Sequence, residues 1–352
     1  MTASLRQAYK LRWKRRGFLW RAWRKRSELV PVADRTGDIP QEGVLCFACL
    51  RNEAERLPYW LSHYRALGVS HFLVVDNGST DGSLDLLSAA PDVSVWRTST
   101  SYKAARFGMD WLTTLLRRHG RDRWCLTVDL DELLVYPDHE HRPLPDLVAE
   151  LDRQGRRAFG ALMVELYPKG PLGAQSYSPG QDPTQILSWF DATPYRTTPQ
   201  PHLKATLYQG GVRERLFFGS EPRRAPTLNK IPLVKWHWRW AYMNSTHSLL
   251  PPSLNAVFST PESPRLSGAL LHTKFLPSVV ARSAEEKARQ EHFGESALFD
   301  AYYDGLIADP DLWCPESCAY EGPAQLEALG FMSRSPGWGD APPHIVAKAK
   351  PR

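Results

Sequence analysis

The chain reads as an α/β protein built on an open sheet, and three stretches predict it. Residues 43–97 alternate apolar runs with amphipathic segments in the order β-α-β-α-β, the pattern of parallel strands joined by helical crossovers. Residues 124–137, WCLTVDLDELLVYP, run mostly apolar into Asp129 and end at Pro137, which predicts a buried strand delivering carboxylates at its C-terminal end. Polar clusters at Arg51-Asn52-Glu53 and Asp76-Asn77 close the two earlier strands. Three strand ends thus share one edge of one sheet, where open α/β sheets bind ligands.

A chain of 352 residues buries a substantial core and is expected to form one catalytic domain with extensions. The 29 prolines concentrate in the second half, which should be rich in loops. The net charge of +6 is uneven: Met1 to Ser27 holds ten Lys and Arg and no acid, leaving 34 basic against 38 acidic residues beyond it. Positive charge confined to one arm argues against a nucleic-acid groove. Five cysteines with no secretory segment point to a reduced, cytosolic setting. Cys46 and Cys49 stand three apart in an apolar strand, so they face opposite ways and read as packing residues rather than a redox or zinc pair. Cys314 and Cys318 could meet on a helical turn, but no zinc-spaced partners stand nearby.

The elements follow in order. Residues 1–30 interleave Arg and Lys with Trp13, Phe18, Trp20 and Trp23, which predicts a helix with one aromatic stripe and one cationic face. Such a helix either lies on an anionic membrane surface through residues 1–27 or docks on the body of the protein. No apolar run approaches the ~18–20 residues of a membrane span, so the protein is expected to be soluble, at most peripheral at the inner face of the membrane. A strand over 44–50, a helix over 57–67 ended by Gly68, a strand over 71–75, a short helix over 83–87 and a strand over 91–97 come next. A helix over 103–119 leads into the Asp129 strand. A helix near 147–151, a strand over 159–166, an irregular Pro-, Gly- and Ser-rich excursion over 167–201, strands over 231–236 and 269–275 and a helix over 283–303 complete the reading. The tail from Pro336 is Pro-rich and basic, hence expected to be mobile. The division is an arm over 1–40, a catalytic domain over 41–280 split near 137, and an extension over 281–352.

Asp129 and Asp131, two apart, would share a face in a straight strand, and two hard oxygen ligands there suit Mg²⁺ or Mn²⁺ carrying a phosphate-rich substrate. Asp76 in DNGSTDG can accept from ribose hydroxyls or a base N–H, or simply cap the next helix. Lys103, Arg106, Arg213, Arg215 and Lys230 are phosphate-binding candidates. Trp189, Tyr195, Trp236, Trp238 and Trp240 are candidates for stacking on a sugar or for core packing.

The residues FACLRNEAERLPYWLSHYRALGVSHFLVVDNGSTDGSLDLL (47–87) and WCLTVDLDELLVYP (124–137) resemble the glycosyltransferase family 2-like proteins of the GT-A fold. The resemblance implies a Rossmann-like open mixed sheet flanked by helices, with Asn52, Glu53, Asp76, Asn77, Arg106 and Asp129 on the nucleotide of a nucleotide-sugar donor, a UDP-sugar foremost. It implies a DxD metal site at Asp129 and Asp131, with His272 or His247 as third ligand. The acceptor would be a glycan or glycolipid. An inverting transfer needs a base, for which Glu214 in GGVRERLF stands first and Glu165 second. The competing readings are a phosphatase-like hydrolase with Asp129 as nucleophile and a non-catalytic, membrane-associated sugar-binding protein. A dinucleotide oxidoreductase is disfavoured because no G-x-G-x-x-G follows the first strand.

Overall fold

A computed structural model describes residues 5–260, 263–289 and 296–339. In chain order the elements are α1 (Leu5–Lys25), β1 (Val30–Ala33), β2 (Val44–Leu50), α2 (Leu57–Ala66), β3 (Val69–Asp76), α3 (Ser83–Ala89), β4 (Val93–Arg97) and α4 (Met109–His119). Then come β5 (Trp124–Thr127), β6 (Glu132–Val135), α5 (Leu144–Arg153), β7 (Ala158–Glu165), β8 (Trp189–Phe190), β9 (Tyr195–Gln200), β10 (Ala205–Gly210) and α6 (Gly211–Phe217). The last are β11 (Asn229–Lys235), β12 (Ala241–Tyr242), β13 (Leu249–Leu250), β14 (Gly268–His272), α7 (Val279–Arg289), α8 (Ser296–Ile307), β15 (Cys318–Ala319) and α9 (Pro323–Ala328).

Nine strands form one sheet in the order β1-β4-β3-β2-β5-β11-β7-β14-β6. β2, β3, β4 and β5 are mutually parallel, and β11 runs antiparallel between β5 and β7, so β7 and its parallel neighbour β14 point the same way as β5. Only β1, β6 and β11 run opposite. The sheet is the mixed, Rossmann-like α/β sheet that the sequence predicts. Val30–Ala33, placed in the arm by sequence, adds its antiparallel edge strand.

β2 is apolar on both faces because both are covered. Val44, Cys46, Ala48 and Leu50 pack with Trp60 and Tyr64 of α2 in one core, whereas Leu45 and Phe47 pack with Trp111, Leu112, Leu115 and Leu116 of α4 in the other. Cys46 and Cys49 fall on opposite sides and are free thiols, as two-residue periodicity requires. Trp60 and Trp111 are essentially fully buried, and truncating either to Ala should cost about 3–5 kcal/mol. α2 ends at Gly68, whose φ of +89° and 3.0 Å approach of a Cβ to Pro145 leave room for glycine alone.

Three expectations are corrected. Residues 124–137 are not one strand: β5 stops at Thr127, the chain turns through Asp129–Asp131, and β6 crosses to the far edge of the sheet beside β14. The apolar runs on either side of the turn are similar enough to look continuous in sequence. The helix expected over 103–119 begins at Met109, because Arg106, Phe107 and Gly108 all take positive φ (54°, 55° and 75°). The helix expected over 283–303 is two helices, α7 and α8, and residues 290–295 between them lie outside the described residues, as does the expected mobile tail beyond 339.

Candidate active site

The strand directions decide what converges. β2, β3, β5, β7 and β14 all end at one edge, delivering Glu53, Asn77, Asp129, Glu165 and His272, while antiparallel β11 begins there with Lys230 and β6 with Glu132. A cavity of about 410 Å³ opens at that edge; Glu53, Asn77, Asp129, Asp131, Glu132, Lys230, His247 and His272 all line it. α7 contributes Arg282 and Glu286 from above.

Because the chain turns at Leu130, Asp129 and Asp131 diverge instead of sharing a strand face. Asp129, half exposed, meets the buried Lys230 ammonium at 3.1 Å, and Lys230 also reaches Glu132 at 2.7 Å. Burial opposes the Lys230 charge, but these two carboxylates outweigh it and hold its pKa above the ordinary value. Burial pushes the Glu132 carboxyl up to about 7 against the pull of Lys230. Asp131 turns to His272, with Nε2 3.2 Å from its Oδ2, and its carbonyl accepts from the Thr273 N–H at 2.7 Å. Burial alone would raise the Asp131 carboxyl, but His272, Lys274 and Arg56 hold it well below the usual carboxylate range. The His272 pKa is raised: burial lowers it, and Asp131 and Glu165 more than compensate.

Glu165 lies behind His272. Its Oε1 is 3.8 Å from the His272 Nδ1 and is ion-paired with Arg213, whose backbone N–H donates to Oε2 at 3.2 Å. Glu214 faces away and is ion-paired with Arg196. Neither carboxylate lines the cavity, so neither is available as the acceptor base that the sequence suggested.

Other candidates are likewise spent on scaffolding. The Asn52 amide oxygen accepts from the Thr80 N–H at 2.8 Å, tying two loops together. Asp76 is fully buried and accepts from the Gly78 N–H at 3.1 Å and the Ser79 N–H at 3.2 Å. The Asn77 amide donates to the carbonyls of Thr98 and Thr100 at 3.2 and 3.0 Å, and Asn77 lines the cavity. Arg106 donates to the Tyr242 and Met243 carbonyls at 2.7 and 2.9 Å, away from the cavity. Arg215 binds Asp191 at 2.9 Å, and Lys103 does not line the cavity. Nor do any of the five candidate stacking aromatics: Trp236 is core, the Tyr195 hydroxyl donates to the Asp191 carbonyl at 2.7 Å, and Trp189 packs edge-on against Trp313. His247 lines the cavity, but its Nδ1 is held 2.7 Å from the Asn229 carbonyl, and burial depresses its pKa to about 3.

Among the described residues no group of three or more His, Cys, Asp or Glu is placed to hold a metal ion, so the expected set of Asp129, Asp131 and a third ligand from His272 or His247 is not assembled. Asp131 and His272 remain. Their side chains meet directly, with the His272 Nε2 3.2 Å from the Asp131 Oδ2. The buried His272 Nδ1 has no hydrogen-bond partner of its own and faces Glu165, the carboxylate-behind-imidazole arrangement that orients a metal-ligating His. A carboxylate and an imidazole in contact are a donor set whose chemistry would suit a divalent ion.

Four cations on the cavity wall were not among the sequence candidates: Arg56, Lys274, Arg282 and Arg289, the last paired with Glu286 at 2.9 Å. Arg56 and Arg282 clamp Glu53, each at 2.9 Å. Lys274 differs: among the described residues its ammonium has no hydrogen bond or ion pair, and burial lowers its pKa, Asp131 opposing and Arg213, Arg282 and Arg56 adding to the fall. Its position two residues past His272 at a strand end is the signal that could have found it. An uncommitted cation beside a carboxylate–imidazole pair can bind a polyphosphate and neutralise charge building on it.

No protein-family model matches the chain. Two plant proteins are similar to it: glycosyltransferase family 92 protein Os08g0121900 of Oryza sativa, 26% identical over 132 residues, and glycosyltransferase family 92 protein At1g27200 of Arabidopsis thaliana, 24% identical over 185 residues. These matches take in 35% and 48% of this chain, and the chain spans only 21% and 30% of the length of those relatives. Both carry the family 92 name rather than family 2. Among solved structures, a 4-diphosphocytidyl-2C-methyl-D-erythritol synthase aligns at 14% identity and TM-score 0.24, covering 39% of this chain and 68% of its own. A UDP-glucose pyrophosphorylase from Acinetobacter baumannii aligns at 12% identity and TM-score 0.28, covering 76% and 98%.

Proposed function

We propose that the chain is a glycosyltransferase that moves a sugar from a nucleotide-sugar donor, a UDP-sugar in the first instance, to a hydroxyl of a glycan or glycolipid. The observation that carries this reading is the cavity at the C-terminal edge of the parallel strands, where Asp131 and His272 face the uncommitted Lys274 ammonium. The names of the two plant relatives favour the same reaction class.

In this reading Asp131 and His272 hold Mn²⁺ or Mg²⁺. The ion supplies Lewis-acid neutralisation of the departing diphosphate. Lys274 binds the same diphosphate by charge, and the Arg56–Glu53–Arg282 clamp keeps α7 over the donor. Lys230 holds Asp129 and Glu132 in place beneath it. The transfer is proposed to invert the anomeric centre, and the base is neither Glu165 nor Glu214, since both are held in ion pairs.

The test is thermal stabilisation by nucleotide diphosphates and nucleotide sugars, each with and without Mn²⁺, because a ligand that binds only the folded state raises the melting temperature. A Mn²⁺-dependent rise that Asp131→Ala abolishes supports the reading. No response to any nucleotide, together with hydrolysis of a generic phosphate ester, would transfer the assignment to the hydrolase.

A further inference from the structure

α1 is apolar on two opposite faces. The inner face is docked: Ala22 is fully buried, Phe18 lies under the Arg106 guanidinium at 3.6 Å, Arg21 donates to Asp110 at 3.0 Å, and the Thr114 hydroxyl donates to the Ala22 carbonyl at 2.8 Å. Leu11 and Phe18 close a small core with Leu203, Met243 and Leu250. Docking therefore accounts for one apolar face and leaves the other unexplained.

The outer face carries Tyr9, Trp13, Trp20 and Trp23, all between 52% and 59% exposed. Their steps of four, seven and three residues align them along one side of a helix of 21 residues, about 30 Å long. Guanidiniums lie on three of these rings: Arg16 is 5.0 Å from Trp13, Arg24 is 4.8 Å from Trp20 and Arg26 is 4.2 Å from Trp23. The turn after β11 carries a further pair of this kind, Trp238, 38% exposed, with Arg239 stacked on it at 4.6 Å. Of the ten Lys and Arg before Glu28, only Arg21 and Lys25 meet a carboxylate among the described residues. The rest of this surface has cationic charge and indole rings but no internal counter-charge.

We propose that the outer face of α1 is a docking surface for an anionic phospholipid bilayer. The interface of a bilayer accepts both components at once, indole rings at the headgroup level and guanidiniums among the phosphates. A nucleic-acid duplex would neutralise the cations but leave a row of indoles in water, whereas a single strand, whose bases stack on indoles, is separated from a bilayer by the test below. Among the described residues no helix is long and apolar enough to cross a membrane, so the association is peripheral. α1 packs on α4, whose N-terminus follows Tyr102 and Phe107 on the cavity wall. The docking surface stands independently of the transferase reading.

The experiment is co-sedimentation of the full chain with vesicles of pure phosphatidylcholine and with vesicles containing one third phosphatidylglycerol. Binding to the anionic vesicles alone, weakened by salt, is expected. The double variant W13A/W20A, altered only at half-exposed rings, should lose about tenfold or more in partitioning, and R12E/R16E at least roughly fivefold per removed cation. Unchanged thermal melting establishes that each variant is folded, and either variant alone decides the case if the other does not fold. The proposal is overturned if both vesicle types bind equally or not at all, if folded variants bind as well as the parent, or if a short duplex DNA or poly-U RNA binds through this face in preference to the vesicles.

Discussion

Lys230 and Lys274 line the same cavity but differ in everything that decides a role. Lys230 is 4% exposed and sits between Glu132 at 2.7 Å and Asp129 at 3.1 Å. Lys274 has no carboxylate in contact among the described residues, and its pKa is lowered where that of Lys230 is raised. A buried cation with its charge matched maintains the architecture, because removing it strands its partners; an unmatched one costs stability and is retained where a ligand completes it. The same division separates Arg213, Arg215 and Arg106, all committed to partners, from the cation left open to substrate.

The most severe way to break this contrast is Lys230→Ala. It leaves Glu132 buried without its counter-charge, and urea titration should register a loss of about 3–5 kcal/mol. A loss below about 1 kcal/mol would mean that Lys230 is not architectural. Lys274→Ala should behave the opposite way. Stability should change by less than about 1 kcal/mol or rise, while titration calorimetry records roughly 10- to 100-fold weaker binding of UDP with Mn²⁺, the loss of one charge-assisted contact. Undiminished nucleotide affinity would remove Lys274 from the site.

Acid should attack the packed body before the open site. Burial depresses the pKa values of His63 and His119 to about 4 and of His247 to about 3, and lowers those of His71 and His139. The unfolded chain then binds more protons than the folded one below about pH 6.5, so stability falls as pH drops from there through about 4. Glu132, raised by burial, offsets part of this because its folded form keeps a proton up to about 7. The melting temperature at pH 4.5 should lie on the order of 5 °C or more below its value at pH 7. A flat profile across that window would contradict burial of these imidazoles in neutral form. The smallest effect is expected for Glu214→Gln, which keeps a partner for Arg196: turnover should change by roughly twofold or less, whereas loss of a general base costs about 10²–10⁴-fold.

How much of this was legible in advance differs residue by residue. The parallel β-α-β start was readable because its signals are local: apolar runs buried on both faces and a glycine ending α2. Asp131 and His272 were named in advance, beside Asp129 and His247, because polar residues near strand ends are positioned by strand direction; which carboxylate meets which imidazole is set by the fold. The DxD reading failed in one respect, since spacing of two gives a common face only while the chain stays extended, and the turn at Leu130 sends Asp129 to Lys230 and Asp131 to His272. Glu165, Glu214 and Arg106 looked available because nothing in one dimension reveals Arg213, Arg196 or the Tyr242 carbonyl facing them.

By itself, then, the sequence determined the α/β class, the strand edge at which the polar clusters gather and the helical N-terminal arm, all consequences of periodicity and of residues near one another in the chain. Tertiary structure alone decided which charges are spent and which are free. Whether a cation is architecture or binding site depends on what lies within about 4 Å of it in space, and ion pairs such as Lys230 with Asp129 close over a hundred residues of chain.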